Sequence, residues 1–580
     1  MQVGRVVLLG ILGCVACGGG TTGKPVAEFP STAALQEVAS RPAKAVTQLP
    51  TVDVDRWQLE AAVPTADASY PNETSWDQKL IAAAARRGKA VSLSRELRCA
   101  AQETARFYVQ HGGYPDDGLR RYLVTRCGST LASAGFQTIT NTVPQTAAEA
   151  EVEQNLGGAV ASMLEKQLSA GGASEFGLAY ARANGRVAVV LYSGAPHGHL
   201  RGFSPLVQGN SVTLTGELNQ GAALALGLVN QGSYGVKFCD PDRNLKLPAF
   251  RITCPLSEQD QQARIEIVTR KPNQVLMNLD MQVLVRRTDD AGLTYEASSY
   301  GQSPNSANTE AFRSSLLEQL NTARAAAGVR PLTFEPNQSR TNERLVPHFF
   351  EGMFTGEEGT VEVVALGLLA GWDVGGMIRD GGIFSGVVTS SRNPGRWLTH
   401  SLESPLGRWV LLDPGMSRVA VGVGALEPAG AMALVTTYAF FDTTDHRSDE
   451  TAVFEELARV RKARGLSPAR RLPGEAALQT ALAKITINAE STSDALKEAL
   501  DRLASERQRS VSGWVLETND LKQLAFGDTL LAAGSPEVEV GVTHYKAPGG
   551  AWGQYAVLFV VFQDGPPTQT ALHAQPARGF

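Results

Sequence analysis

The chain has 580 residues, too many for one core, and roughly three to five domains are expected. Hydrophobic residues make up 43% and charged residues 19%, the balance of an ordinary globular protein. The net charge of −5, the pI near 6.0 and the scattered Lys and Arg exclude the basic stripe of a nucleic-acid binder.

The N-terminus "MQVGRVVLLGILGCVACGGG" has one charge at Arg5, an apolar run from Val6 to Ala16, then small residues. That is a short secretory signal, well below the about 20 apolar residues a membrane-spanning helix needs. It also resembles a bacterial lipoprotein signal, in which a cysteine after small residues takes a diacylglycerol anchor. Cys14 in "ILGC" matches the usual motif better, and Cys17 leaves a more normal signal length. If Cys17 carries the lipid, Cys99, Cys127, Cys239 and Cys254 remain as an even set, which favours Cys17 and leaves Cys14 as the alternative. The expected location is the cell envelope, tethered to a membrane outside the cytoplasm, where disulfides persist; the cell surface is one such place.

Residues 18–68, rich in Gly, Pro, Ala and Thr, read as a flexible tether, with 52–61 as a strand laid onto the first domain. From Trp76 the pattern turns helical, with Trp76, Leu80 and Ala84 on one face. A second helix follows Ser94, its expected N-cap, with Leu97, Ala101, Ala105 and Tyr108 inward. The unit closes in two strands over 176–194 that turn at Asn184-Gly185. Alternating runs then suggest an all-β sandwich over 201–300, followed by a linker at 301–309.

The first texture returns twice. "FRSSLLEQLNTARAAAGVRPLTF" (312–334) and "VFEELARVRKARGLSPARRL" (453–472) share an apolar-acidic start, arginines and Gly-x-x-Pro. "LIAAAARRGKAVSL" (80–93) is a weaker version. The closing strands 419–440 and 538–562 match as well. We read diverged copies of one helix-first, sheet-last unit at 69–200, 310–445 and 446–566, with a tail at 567–580.

Two segments of the middle copy carry a family resemblance. Leu316, Leu317, Leu320, Asn321, Arg324, Gly328, Pro331 and Leu332 fit one motif. Trp397, Ser404, Pro405, Arg408, Leu411, Leu412, Pro414, Gly422 and Val423 fit the other. Together they resemble the CAP superfamily of cysteine-rich secretory, antigen-five and pathogenesis-related proteins, well over 310–445 and more loosely in the other copies. The resemblance implies an α+β fold of repeated α-β-α sandwich units, here with an inserted all-β, immunoglobulin-like sandwich. It also implies a cleft where two histidines and two glutamates converge, in some members on a divalent metal.

This chain departs from that pattern. His348 sits near the family's first histidine, but the second position is Gly407, and the stretch expected to hold a glutamate, 381–386, reads "GGIFSG". The loss of an imidazole and a carboxylate removes most of a metal site. His348 shares a helical face with Leu345, Phe349 and Met353, which suits a core-edge histidine, and Pro347 suggests that the helix starts or kinks there. No catalytic residue and no metal ligand is therefore assigned.

"DPDRN" (240–244) opens like a calcium loop but has Leu245 where glycine is needed and Arg251 where the bidentate glutamate belongs. His197 and His199 alternate in an extended stretch. Pairing within domains gives Cys99–Cys127 and Cys239–Cys254, one of the pairings open to four cysteines. The expected role is a binding or structural module of the envelope, without nucleic acid, whose ligand is a glycan, a lipid or another protein. The rival is a metal-dependent hydrolase or protease rearranged around His348 with Glu351, Glu357, Glu358 or Glu362. A spacer protein whose repeats only add length is a third reading.

Overall fold

Three glycines mark where the helix-first modules leave their opening helix. Gly88, Gly328 and Gly465 have φ of +63°, +73° and +69°, the left-handed conformation that ends a helix without side-chain strain. In the computed structural model the helices that precede them are Ser75–Arg86, Thr309–Ala326 and Arg447–Ala463. The described residues are 9–12, 29–46, 48–49, 51–60, 73–170, 172–219, 221–271, 276–288, 293–301, 303–441, 446–518, 521, 524, 526–563 and 571–574. Their backbone forms two compact units. One takes the described parts of 1–11, 31–368 and 382–437, the other those of 12–30, 369–381 and 438–580.

The opening helices start on side-chain caps where the sequence offers them. Thr74 forms a capping box with Asp77, and Asn308 accepts from the Ala311 N–H. Their inward stripes are fully buried: Leu80, Ala83 and Ala84 in the first, Phe312, Leu316 and Leu320 in the second, Val453 and Leu457 in the third. After each glycine a two-residue strand pairs in parallel with the first strand of a closing hairpin. The pairs are Ser92–Leu93 with Glu175–Ala183, Thr333–Phe334 with Arg418–Leu426, and Arg470–Arg471 with Glu537–Tyr545. Two further helices come next: Arg95–His111 and Asp117–Arg126, Pro336–Thr355 and Glu358–Ala370, Ala476–Thr486 and Thr492–Arg507. Then come the strands Gly135–Thr142, Ile378–Val388 and Ser510–Thr518, and the second hairpin strands Arg186–Gly194, Gly430–Phe440 and Gln554–Gln563. All three modules have the same strand order: short strand, first hairpin strand, second hairpin strand, middle strand. The chain is α+β, as the sequence implies.

A buried arginine repeats with this topology. Arg324 Nε donates to the Arg330 carbonyl at 2.8 Å, Nη1 to Leu411 at 2.7 Å, and Nη2 to Asp413 and Met416 at 3.1 Å each. Arg461 Nε donates to Ser467 at 2.8 Å, and its Nη atoms to Leu530, Ala532 and Gly534. Each guanidinium staples the loop after its helix to the segment that enters the closing hairpin. The planar fork suits this, because its donors fan out in fixed directions. The Asn184-Gly185 turn of the first hairpin is as the dipeptide demands, both residues having positive φ.

Between the first and second modules, two antiparallel sheets pack face to face. One has the order Gly235–Phe238, Leu224–Gln231, Gln262–Arg270, Met277–Arg286, and the short strand Leu9–Leu12 adds to its last member. The other runs Asp240–Pro241, Ala249–Pro255, Ser211–Leu218, Gly198–Leu200. Leu214, Ile252, Ile265, Ile267 and Met281 fill the space between them.

The expected flexible tether over 18–68 differs from the structure beyond residue 30. Thr32–Ser40 is a helix capped by Ser31, and its Leu35 and Val38 are buried. Leu35 fits where Gly367 has no side chain; a Cβ there would stand 2.2 Å from Leu35 Cδ2. Gln48 and Val46 exchange backbone hydrogen bonds with Glu427, and Trp57 Nε1 donates to buried Glu103 at 3.0 Å. Of the strand expected at 52–61, Arg56–Gln58 forms and pairs with Thr294–Glu296, and it lies on the first module as expected: Trp57 and Leu59 pack with Phe107 and Leu119. An Ala- and Pro-rich composition reads as linker because these holding contacts lie with residues far away in sequence.

Candidate functional site

The residues of the expected cleft do not converge. His348 lies on Pro336–Thr355 with only 7% of its surface exposed. Burial lowers its pKa, opposed by Glu351 and reinforced by Arg41. Glu351 is engaged from the other side: it accepts from the Lys44 N–H at 3.2 Å and lies 3.5 Å from Lys44 Nζ. Glu357 and Glu358 are exposed and Glu362 is half-buried. Among the described residues, no group of three or more His, Cys, Asp and Glu could hold a metal ion. Pro347 neither starts nor ends its helix, which begins on Pro336, a position where a missing N–H costs nothing.

Gly407 is closed rather than vacant. It sits in the helix Pro405–Leu411, where a Cβ would stand 1.9 Å from the Ser401 carbonyl oxygen and 3.1 Å from Phe384 Cζ. Phe384 comes from the stretch 381–386, is 1% exposed and packs edge-on against Trp397. Phe384 thus also closes on the Gly407 backbone.

The motif residues around Gly407 turn instead toward the two-sheet sandwich. Glu266, on the strand Gln262–Arg270, is 1% exposed. It accepts from Ser404 Oγ at 2.8 Å and from the Leu406 N–H at 2.9 Å. Burial pushes its pKa up, against the Leu406 N–H, Arg264 and Ser404. Arg408 Nη1 donates to the Gly232 and Gly235 carbonyls at 2.8 and 2.9 Å, and Nη2 to the Tyr300 hydroxyl at 2.9 Å. Asn230 Nδ2 donates to the Glu403 carbonyl at 2.8 Å, and Phe238 meets Trp409 edge-on at 4.9 Å. Glu266 and Arg408 each find oriented partners, which is the condition for burying a charge at all.

The preceding helix, Pro394–Leu402, grips the first module. Asp116 caps the helix Asp117–Arg126 by accepting from the Leu119 N–H at 2.8 Å, and its other oxygen lies 3.3 Å from His400 Nε2. Both side chains are buried. Burial alone would raise the Asp116 pKa. The nearby His400 imidazole, the Leu119 N–H and Arg396 outweigh it and hold it at about 2. Arg121 Nη2 donates to the His400 carbonyl at 2.6 Å. Gly118 permits this approach: a Cβ there would stand 2.7 Å from His400 Cδ2 and 2.8 Å from the Tyr295 hydroxyl. Arg396 reaches Asp53 and Asp55 of the N-terminal segment. Ser404 and Arg408 of this junction belong to the sequence motif, but Asp116, Glu266 and His400 had no signal, because the partners lie far apart in sequence: 108 residues for Tyr300 and Arg408, 138 for Glu266 and Ser404.

In the second compact unit, His446 Nε2 and His544 Nδ1 are 2.8 Å apart, and Asp449 lies 2.7 Å from His446 Nδ1. Glu539, 1% exposed, accepts from the Glu475 N–H at 2.5 Å; burial raises its pKa to about 7 despite that bond. Neither group was singled out in the sequence.

The remaining sequence candidates are accounted for. Cys99 bonds to Cys127 and Cys239 to Cys254. Asp242 of the calcium-like loop pairs with Arg251 at 3.1 Å, so a guanidinium stands where a cation would need a ligand. His197 pairs with Asp280 at 2.9 Å on an exposed edge, and His199 lies 3.8 Å from Glu217. Cys14 and Cys17 lie outside the described residues. No helix among the described residues is long and apolar enough to cross a membrane.

No protein-family model matches the chain, and no curated protein matches it. Among solved structures, a cysteine-rich secretory protein from Staphylococcus aureus subsp. aureus Mu50 is similar at 12% identity, over 42% of this chain and 84% of that one, with a TM-score of 0.17. An extracellular protein containing a SCP domain from Bacillus anthracis str. Ames is similar at 12% identity, over 39% and 81%, with a TM-score of 0.18. Likenesses of that size carry nothing for the site, whose reading rests on the geometry above.

Proposed function

We propose that this chain is an extracellular module built from three diverged CAP-like copies and an immunoglobulin-like sandwich, with a binding or structural role and no hydrolytic centre at the family's cleft. The supporting observation is the fate of residues 403–409. Ser404, Leu406 and Arg408 face the sandwich, and Gly407 is sealed by the Ser401 carbonyl. The two disulfides fit an oxidising compartment. Lipidation at Cys17, with Cys14 as the alternative, would hold the module at a membrane, with an envelope protein, glycan or lipid as its ligand. The ordered segment beginning at Phe29 would then leave a short spacer instead of a tether reaching to residue 68.

Metal analysis of the purified chain tests the non-catalytic reading. Stoichiometric zinc that is lost in His348→Ala, together with peptidase or esterase turnover, would establish the rival hydrolase. Membrane fractionation tests the anchor: Cys17→Ser should move the protein to the soluble fraction, and release by Cys14→Ser alone would assign the lipid to Cys14.

A further inference from the structure

Phe29 and Pro30 are the first residues of the described chain after the short strand at 9–12, and both are half-buried. They sit on two tryptophans of the second compact unit. The Phe29 ring lies 5.2 Å from the Trp552 ring at an interplanar angle of 40°. Trp372 Nε1 donates to the Pro30 carbonyl at 2.9 Å. Neither tryptophan is loosely placed: Trp552 Nε1 donates to the Leu369 carbonyl at 2.9 Å, and Lys546 Nζ lies 5.8 Å from the centroid of the Trp372 ring.

This is how proteins read extended proline-containing peptides. Proline carries no N–H, so its carbonyl is the hydrogen-bonding handle, and an indole N–H beside a flat ring supplies donor and platform together. The aromatic residue before proline adds ring-on-ring contact. Backbone before proline is already biased to the extended form, which lowers the ordering cost. We propose that Trp372 and Trp552 form a recognition site for an extended aromatic-proline peptide segment, occupied in this chain by its own Phe29–Pro30. Among the described residues the contact is two residues deep, and it is held by covalent tethering, which supplies an effective concentration on the order of millimolar. An incoming segment of the same chemistry therefore competes for it. The inference does not depend on the CAP-like reading or on the lipid.

The test uses the full chain labelled with 5-fluorotryptophan and a synthetic peptide of residues 26–34. In the Phe29→Ala, Pro30→Ala double variant, the peptide should shift the Trp372 and Trp552 fluorine resonances saturably. The unmodified chain should need at least about tenfold more peptide, because its own segment competes. A peptide with both residues replaced by alanine should shift nothing, and Trp372→Phe, which keeps a ring but loses the donor, should weaken binding several-fold. Equal responses to the two peptides, or no shift in a double variant whose spectrum is otherwise unchanged, overturn the proposal. Should the double variant lose its fold, the unmodified chain decides. Peptide at high excess should move Trp552 and leave Trp514 in place, and an unmoved Trp552 overturns the proposal.

Discussion

Placing a side chain at Gly407, including the histidine that the family resemblance would put there, should break this protein rather than create a metal site. In Gly407→Ala the new Cβ starts 1.9 Å from the Ser401 carbonyl oxygen, whereas an ordinary carbon–oxygen contact is about 3.3 Å or longer. One of the helices Pro394–Leu402 and Pro405–Leu411 must shift by about 1.4 Å to restore that distance. The obstacle is backbone, so no rotamer relieves it, and Phe384 blocks the far side at 3.1 Å. Overpacking that side chains can absorb costs about 1–3 kcal/mol. Here the shift also pulls Ser404 and Leu406 off Glu266, and a buried charge stripped of its partners costs about 3–5 kcal/mol. Gly407→Ala should therefore lose at least about 3 kcal/mol, and Gly407→His more. Hydrogen exchange resolved by segment is the suitable assay, since a multi-domain chain has no single unfolding free energy. Protection should fall both in 405–411 and in the Glu266 strand. A Gly407→His protein with unchanged protection, or one that gains stoichiometric zinc, would refute the sealed-site reasoning.

Other outcomes follow from the buried charges. Asp116 is held at about 2 against an ordinary 3.8, so its stabilisation is complete above pH 3.8 and is lost as pH falls toward 2. The amount is about 2 kcal/mol, and Asp116→Asn, which keeps the cap acceptor, should remove this acid dependence from exchange in the helix 117–126. Glu539 is raised from 4.5 to about 7, so its contribution falls as pH rises through that window. Glu539→Gln, which still accepts the Glu475 N–H, should stabilise the second compact unit at pH 8 by about 2 kcal/mol, allowing for partial screening, and leave it unchanged at pH 4. Arg324→Lys and Arg461→Lys should each destabilise their own module by about 2–4 kcal/mol, read by proteolysis of the loops they staple, since one ammonium cannot replace a fork bonded to four carbonyls.

What could be read from the sequence was local. The stripe Phe312, Leu316, Leu320, the N-cap at Ser94 and the Asn184-Gly185 turn declare themselves through residues a few positions apart, and the structure places all of them as read. The departure at Gly407 was also legible, but only as a missing histidine. That the backbone had closed over it depends on Ser401 and Phe384 meeting in space. The segment 31–59 was misread for a related reason. Its own composition is that of a linker, and its order comes from Glu351, Glu427 and Glu103, none of them near in sequence. The ionic junction follows the same rule, since nothing near Asp116 announces His400.

The modules agree where backbone must be held and differ where side chains face outward. Arg324 and Arg461 each donate to four carbonyls at the same two places in their module. In the first module, Lys89, one residue past its own left-handed glycine, donates to the Leu168 carbonyl. The faces have diverged further. In the middle module, Ser404 and the first turn of the helix Pro405–Leu411 bind Glu266 and the loop carbonyls of a sandwich. In the third, buried His446 and His544 and half-buried Asp449 form a polar row that has no counterpart at Ala425, the register equivalent of His544. A fold kept by backbone staples leaves the other positions free to become packing surface. Glycine at 407 is then what permits the close approach of two helices, and that approach sets Ser404, Leu406 and Arg408 against the sandwich.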